Sequence, residues 1–240
     1  MRIVCLSDTH NRHASLRVPD GDLLLHAGDA TMHGTAEEIA AFDAWLALQP
    51  HRHKVVVAGN HDFLFERDPP AARELLRSAV YLQDSAVEVA GLRVWGSPWQ
   101  PWFFDWAFNL PRGRALREKW DLIPEATDVL LTHGPPHRIR DKVAGPTPRL
   151  MAAVTGRGSH VGCEELREAV FRVRPRLHVW PHPRVLRAGD AGRHPVRERR
   201  LLQPVLSGGQ PAAGGGPLGQ YNPPPWTRSA SGRPTTTTGS

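Results

Sequence analysis

Residues 2–10, Arg-Ile-Val-Cys-Leu-Ser-Asp-Thr-His, join a short apolar run to a polar cluster. The run Arg2–Leu6 predicts a buried strand, and Asp8-Thr9-His10 follows it almost directly. Three later segments repeat the arrangement. They are Leu23–His26 before Gly28-Asp29, Lys54–Ala58 before Gly59-Asn60-His61-Asp62, and Asp128–Leu131 before Thr132-His133-Gly134. Ligands in open α/β sheets gather outside the carboxyl ends of the strands, so we expect these clusters to meet at one sheet edge.

Helical patterns lie between the strands. Thr35–Leu48 is predicted to be a helix, because Thr35 can cap it and Ile39, Phe42 and Leu46 share one face. Other predicted helices are Pro69–Ser78, Arg112–Trp120 and Gly162–Val173, and other predicted strands are Val80–Leu82, Ala86–Val89, Leu92–Trp95 and Leu177–Trp180. Strands that alternate with helices predict an α/β layered fold.

The composition changes after residue 180, which predicts one domain over residues 1–180 and a disordered tail over 181–240. The tail holds ten of the 23 prolines, ten of the 22 glycines and eight arginines, against only Asp190 and Glu198 as acids. The rest of the chain therefore keeps 22 basic and 22 acidic residues, and the net charge of +6 belongs to the tail. Nucleic-acid binding by this tail is not expected, since the excess reflects a break in composition rather than a basic face.

No apolar run reaches the roughly 18 residues that span a bilayer, so no membrane association is expected. The N-terminus is too short and too soon followed by the first motif to predict a signal peptide. Cys5 and Cys163 are the two cysteines. Two reduced thiols are the default in the cytoplasm, which is the expected location. The oligomeric state is left open.

The polar clusters form a ligand set for two divalent metal ions. Asp8 and His10 share one face of an extended segment and predict ligands of one ion, and Asp29 predicts a carboxylate that bridges both. Asn60 and His133 offer an amide oxygen and an imidazole to the second ion. Mixed oxygen and nitrogen ligands suit Mn, Fe, Zn or Mg, which the residues do not distinguish. A hydroxide bridging two such ions would hydrolyse a phosphate ester.

Other side chains are candidates for roles around the metals. His61 is a candidate catalytic residue, placed to bind a phosphate oxygen or protonate the leaving group, and Asp62 is a candidate to orient it. Asn60, His61 and His160 are candidate substrate-binding residues. The aromatic run at residues 99–106 favours core or lid packing over a platform for base stacking.

These motifs resemble those of the calcineurin-like metallophosphoesterases, in the branch of metallophosphoesterase-domain proteins that is similar to class III phosphodiesterases. The resemblance spans roughly residues 2–180 and also includes Trp95-Gly96-Ser97-Pro98-Trp99 and Gly162-Cys163-Glu164-Glu165-Leu166. It implies a four-layer sandwich of two facing mixed sheets flanked by helices. It also implies a metal-dependent hydrolase acting on a small phosphodiester, another phosphate ester or a nucleotide.

The chain departs from this family after the last predicted strand, where the family has Gly-His-x-His. Here the sequence is Trp180-Pro181-His182-Pro183-Arg184. His182 matches the first histidine and is a candidate ligand of the second ion, whereas Arg184 replaces the second and cannot bind a metal. The alternative function is therefore an impaired homologue that binds nucleotide or a partner without turnover.

A frameshift near codon 180 is our hypothesis for this departure. The codons of residues 180–188, read one nucleotide later, permit Gly-His-Ile-His. The later segments 195–199 and 206–217 permit a typical family strand and ending in the same frame. In that case the C-terminal strands of the family are missing from this chain. The coding DNA across codon 180 tests the hypothesis.

Overall fold

The computed structural model describes residues 1–142 and 160–181, together with the backbone of Leu206–Ser207. All of these belong to one compact unit, Met1–Gly209. His182, Arg184 and the remainder of the predicted tail lie outside the described residues.

The described elements alternate between strands and helices along most of the chain. The strands are β1 (Ile3–Ser7), β2 (Leu23–His26), β3 (His53–Val56), β4 (Val80–Tyr81), β5 (Ser85–Val89), β6 (Leu92–Ser97), β7 (Gln100–Pro101), β8 (Asn109–Leu110), β9 (Val129–Thr132), β10 (Leu177–Val179) and β11 (Leu206–Ser207). The helices are α1 (Ala36–Ala47), α2 (Leu64–Arg67), α3 (Pro69–Leu75), α4 (Arg114–Trp120) and α5 (Glu164–Val173), with a short 3₁₀ turn at His13–Ser15.

Two sheets carry the fold. The first has the order β11-β1-β2-β3-β4, and every neighbouring pair in it is parallel. The second has the order β10-β9-β6-β5, in which β5 and β6 form an antiparallel hairpin and the other pairs are parallel. A separate two-stranded sheet joins β7 and β8.

Both faces of the first sheet are buried, as the continuous apolar strands predict. Alternate residues of β2 point to opposite faces, so Leu23 and Leu25 pack with Val129 and Leu131 of the second sheet. Leu24 faces the other way, into the core formed with α1, α2 and α3. The outer face of the second sheet packs against α4 and α5. The order helices, sheet, sheet, helices confirms the predicted four-layer α/β sandwich.

Helix α1 confirms its predicted start. The Thr35 hydroxyl accepts a hydrogen bond from the backbone N–H of Glu38, and the Glu38 carboxylate accepts one from the backbone N–H of Thr35. This reciprocal capping box satisfies two amides that a helix start otherwise leaves without partners.

Several expectations about the fold are corrected. The first sheet is wholly parallel in its described strands rather than mixed. Helix α2 was not predicted; it ends at Arg67, before Pro69 and Pro70, which begin α3. Proline in a helix interior removes a hydrogen bond and clashes with the preceding turn, so α2 does not continue into α3. Strands β7 and β8 were also missed, since two-residue strands give no periodic signal. Within the tail, the described residues Leu206–Ser207 pair in parallel with β1. Among the described residues, no helix combines the length and apolar character needed to cross a bilayer.

Candidate metal centre

The predicted ligands follow four strands, three in the first sheet and β9 in the second, so they come from both sheets rather than from the one expected sheet edge. Asp8 follows β1, Asp29 follows β2, Asn60 follows β3 and His133 follows β9. The segments beyond β1 and β2 continue to pair: the amides of Asp8 and His10 donate to the carbonyls of Gly28 and Asp29, each at 3.0 Å. This pairing holds the first two polar clusters side by side.

The backbone that follows β1 and β2 is unusual. Asp8, His10, Asn11 and Asp29 all have positive φ, between 40° and 64°. Aspartate and asparagine tolerate this region better than most residues, but it remains uncommon outside glycine. Strained residues of this kind cluster at functional sites, where the surrounding structure holds them in place.

Asp29 lies between two imidazoles. Its Oδ2 is 3.6 Å from His10 Nε2, and its Oδ1 is 3.5 Å from His133 Nε2. The carboxylate is almost fully buried. Asp8 Oδ1 lies 4.0 Å from the same His10 nitrogen. Each oxygen of Asp29 therefore faces a different imidazole.

Three imidazoles are anchored by one segment. His133 Nδ1 is 2.8 Å from the carbonyl of Ala27, His10 Nδ1 is 3.2 Å from that of Thr31, and His61 Nδ1 is 2.9 Å from that of Met32. Carbonyl oxygens only accept, so each Nδ1 carries the proton and donates. Each Nε2 is then left with a lone pair, which is the form that binds a metal ion.

His133 and Asn60 converge on one point. His133 Nε2 and Asn60 Oδ1 are 2.9 Å apart, and both side chains are buried. Two lone-pair atoms this close either share a proton or face a common cation. The separation suits two ligand atoms that each lie about 2.1 Å from one ion.

The charges of the site favour a cation. Burial and the neighbouring Asp29 raise the pKa of Asp8, while hydrogen bonding and nearby histidines oppose the rise. Burial would lower the pKa of His133, but the carboxylates of Asp29 and Asp8 outweigh it and raise that pKa. Ligand atoms of His10, Asp29 and His61 also lie within 4.8 Å of one another, a spacing that could hold one ion. The side chains present therefore fit a divalent metal site.

Two glycines leave room for the ligands. A Cβ on Gly59 would lie 2.2 Å from Asp29 Oδ1 and 2.7 Å from His133 Cε1. A Cβ on Gly28 would lie 2.6 Å from His133 Nδ1, and its φ of +97° also favours glycine. Only glycine at these two positions leaves room for the side chains of Asp29 and His133.

The Asp62 carboxylate connects the backbone behind the ligands. Its Oδ2 accepts from the amides of Gly59 at 2.8 Å and Ala30 at 3.3 Å, and its Oδ1 accepts from the amide and hydroxyl of Thr31 at 2.9 and 2.6 Å. None of these bonds involves the His61 ring. Asp62 is a positioning residue that fixes the segments after β2 and β3, rather than a direct partner of His61.

His160 lies in a different cluster. Its Nδ1 is 2.6 Å from Asp141 Oδ1, and its ring is 5.7 Å from that of His137. Among the described contacts, none joins His160 to a metal ligand. Its proposed contact with substrate therefore stays a prediction, as does the role of His182, which lies outside the described residues.

Sequence reasoning missed two neighbours of His61. Thr31 contributes its hydroxyl to the His61 carbonyl at 3.2 Å, and the Trp106 ring packs 5.0 Å from the imidazole. Trp106 belonged to the aromatic run, but its contact with His61 depends on chain folding over a long separation. No local signal identified it.

Comparison with known proteins agrees with this geometry. The family model described as calcineurin-like phosphoesterase matches residues 1–182. The chain belongs to this family. The name of the family describes phosphoesterases. The match ends where the predicted tail begins.

Several curated proteins are similar to this chain. It is 44% identical over 205 residues to metallophosphoesterase domain-containing protein 1 of Homo sapiens, a match that covers 75% of this chain and 60% of the relative. It is 36% identical over 213 residues to a UPF0046 protein of Caenorhabditis elegans, covering 76% of this chain and 51% of the relative. The chain thus spans only half to three-fifths of the length of these relatives.

Solved structures show the same fold at low identity. One matches with a TM-score of 0.54 and 16% identity, covering 75% of this chain and 83% of its own. Another, TT1561 of Thermus thermophilus, matches with a TM-score of 0.50 and 15% identity, covering 75% and 81%. These likenesses concern the fold alone.

Proposed function

We propose that this phosphoesterase is a phosphodiesterase with a dinuclear metal centre, acting on a small phosphodiester or nucleotide. The observation that carries the proposal is the position of Asp29, whose two oxygens face His10 and His133 separately. Two ions, each bound by one of these imidazoles, would use the two oxygens separately. The resemblance of the motifs to the phosphodiesterase-like branch supports the substrate class.

The ligands divide into two sets in this proposal. Asp8, His10 and Asp29 would hold one ion, and Asp29, Asn60 and His133 would hold the other, with His182 as a further candidate ligand. Divalent cations supply the Lewis acidity that polarises a phosphoryl group and activates water. The carbonyl bonds of Nδ1 select the neutral tautomer in which Nε2 has the lone pair, so the three imidazoles are oriented to bind these ions.

His61 has a separate role at the edge of the site. Its backbone amide donates to Asp29 Oδ1 at 2.9 Å, which fixes its distance from the ligands. Its ring stands edge-on to that of His10, with centroids 4.8 Å apart. With Nδ1 held by Met32, the opposite nitrogen is the one that can exchange a proton with a leaving oxygen.

Cys5 and Cys163 are unpaired, which supports a cytoplasmic location.

Hydrolysis of bis(p-nitrophenyl) phosphate with added Mn²⁺ tests the proposal. We expect turnover that a chelator abolishes and that Asp29→Ala reduces at least about a thousandfold, because the shared ligand is lost. Asp121→Ala, an exposed carboxylate at the end of α4, serves as a control and should retain the wild-type rate. Turnover in Asp29→Ala equal to wild type would contradict the assignment.

The second candidate is an impaired homologue that binds nucleotide or a partner. The observation in its favour is Arg184 at the position of the second family histidine. Mn²⁺-dependent binding of a nucleotide without any turnover would favour it over the phosphodiesterase.

A further inference from the structure

An aromatic loop, defined here as Trp102–Phe108, lies beside the candidate metal centre. Five of its seven residues are large aromatics: Trp102, Phe103, Phe104, Trp106 and Phe108. Seven large hydrophobic side chains are exposed in the described part of the chain, and two of them, Trp102 and Phe104, belong to this loop. Exposed apolar surface concentrated next to a site often marks a binding surface.

The aromatic surface is continuous with the catalytic candidate His61. The ring of Trp106 packs 5.0 Å from His61, and the rings of Phe103 and Phe104 lie 5.4 and 5.7 Å from Trp106. Phe103 and Phe104 are themselves 4.3 Å apart. These rings form a continuous aromatic surface that begins at His61 and extends away from the metal ligands. A group bound at His61 can therefore contact this surface.

The loop is held in place at its base. The amide of Ala107 donates to the carbonyl of the metal ligand Asn60 at 3.1 Å, and the amide of Phe108 donates to Glu66 Oε1 at 2.8 Å. Ala107 and Phe108 are fully buried in the core against α1, α2 and α3. The exposed rings are thus carried on a rigid base that is fastened directly to the metal site.

The tip of the loop is also fixed. The Asn109 side-chain amide donates to the carbonyls of Phe103 at 3.2 Å and Phe104 at 2.8 Å. Phe104 has φ of +54°, a conformation that is uncommon for a bulky residue. Phe104 is nevertheless 41% exposed. Packing in the core therefore does not explain why this residue is held in a strained conformation.

We propose that the aromatic loop is the subsite for a planar ring on the substrate, of nucleobase type, while the phosphate occupies the metal centre. This inference rests on the proposed function and names its substrate class. The expectation from sequence was core or lid packing. The structure divides the run instead: Trp99 packs against the core, Phe103 and Trp106 are half-buried, and Trp102 and Phe104 are exposed and left to contact a ligand. Stacking of one base on aromatic side chains contributes about 1–3 kcal/mol, which corresponds to a change of about five- to 150-fold in affinity.

The test compares two substrates that differ only in the ring. Adenosine 2′,3′-cyclic phosphate and methyl ribofuranoside 2,3-cyclic phosphate share the sugar and the phosphodiester, and only the first carries a base. With the full chain and Mn²⁺, we expect wild type to prefer the nucleotide in kcat/KM. Phe104→Ala should lower this preference about tenfold, and Trp102→Ala should lower it in the same direction. The alanine keeps a Cβ, so the backbone at residue 104 is strained no more than in wild type.

A matched control separates the loop from general effects of removing an exposed aromatic. Phe171 on α5 is 56% exposed, and Phe171→Ala should keep the wild-type preference. The proposal is overturned if wild type shows no preference for the nucleotide, or if Phe104→Ala and Trp102→Ala both leave the preference unchanged. An equal loss on both substrates would also overturn it, since that result indicates damage to the metal centre.

A binding measurement decides the matter even if no turnover occurs. Calorimetry with Mn²⁺ should give tighter binding of adenosine 3′-monophosphate than of inorganic phosphate, and Phe104→Ala should weaken only the former, about tenfold. Absence of hydrolysis with this binding pattern would refute the phosphodiesterase and leave the ring subsite standing. Equal binding of the two ligands to wild type would refute the subsite.

Discussion

Replacing Asp62 with asparagine should destabilise the protein strongly, although the two side chains have nearly the same shape. Both carboxylate oxygens are in use: Oδ1 accepts two bonds from Thr31, and Oδ2 accepts from the amides of Gly59 and Ala30. The side chain is 1% exposed, so water cannot replace a lost partner.

The magnitude follows from the number of acceptors. Whichever way the asparagine amide turns, its NH₂ group faces two donors where an oxygen stood. Two hydrogen bonds to a charged group are lost, and at about 1.5–3 kcal/mol each the loss is about 3–6 kcal/mol. This is a large part of the roughly 5–15 kcal/mol that stabilises a typical domain.

The assay is urea unfolding at pH 7 with a chelator present, followed by tryptophan fluorescence. Asp43→Asn is the matched control. Asp43 also accepts two backbone hydrogen bonds, from Arg77 at 2.8 Å and Ser78 at 2.6 Å, but both reach Oδ1. An amide oxygen can keep both, so the cost should stay below about 1 kcal/mol. A free energy of unfolding for Asp62→Asn within 0.5 kcal/mol of the control, by the precision expected of such measurements, would refute the positioning role.

Further predictions concern the site, the core and a helix start. Gly59→Ala should abolish Mn²⁺-dependent hydrolysis, because the new Cβ would lie 2.2 Å from Asp29 Oδ1, whereas Gly134→Ala meets nothing closer than 3.4 Å and should retain activity in the same assay. Burial lowers the pKa of His178 to about 3, so below its ordinary value of about 6.5 the unfolded chain binds a proton that the folded protein does not. Stability should therefore fall as the pH drops from 7 to 5, and His178→Gln should remove about 2 kcal/mol of that fall when urea unfolding is compared at the two pH values. Thr35→Ala should cost about 1 kcal/mol in the same unfolding assay, through loss of the capping box; an unchanged midpoint would contradict the cap.

The ligands were predictable from sequence because each follows its own strand. Each ligand comes just after an apolar run: Asp8, Asp29, Asn60 and His133. Sites in α/β folds form at the carboxyl ends of parallel strands, so residues at these ends are expected to lie close together. The second-sheet hairpin was predictable for a similar reason, since Ala90-Gly91 joins two adjacent strands and both residues adopt positive φ.

Residue roles were less predictable than residue identities. Asp62 was predicted to orient His61, but its partners come from the segment after β2, about 30 residues earlier. Trp106 contacts His61 across 45 positions of the chain. Sequence patterns report which faces are apolar, and they do not report which distant backbone groups a carboxylate or a ring will meet.

By itself, the sequence of this protein determined the α/β alternation, the family and the polar residues that follow the strands, because strand burial and motif order are local properties. Only the tertiary structure decided that Asp29 faces two imidazoles, that one segment anchors three Nδ1 atoms and that aromatic rings continue outward from His61. Those relations depend on hydrogen bonds and packing between residues as far apart as 106 positions, such as His133 and Ala27, and such contacts exist only once the sheets have assembled.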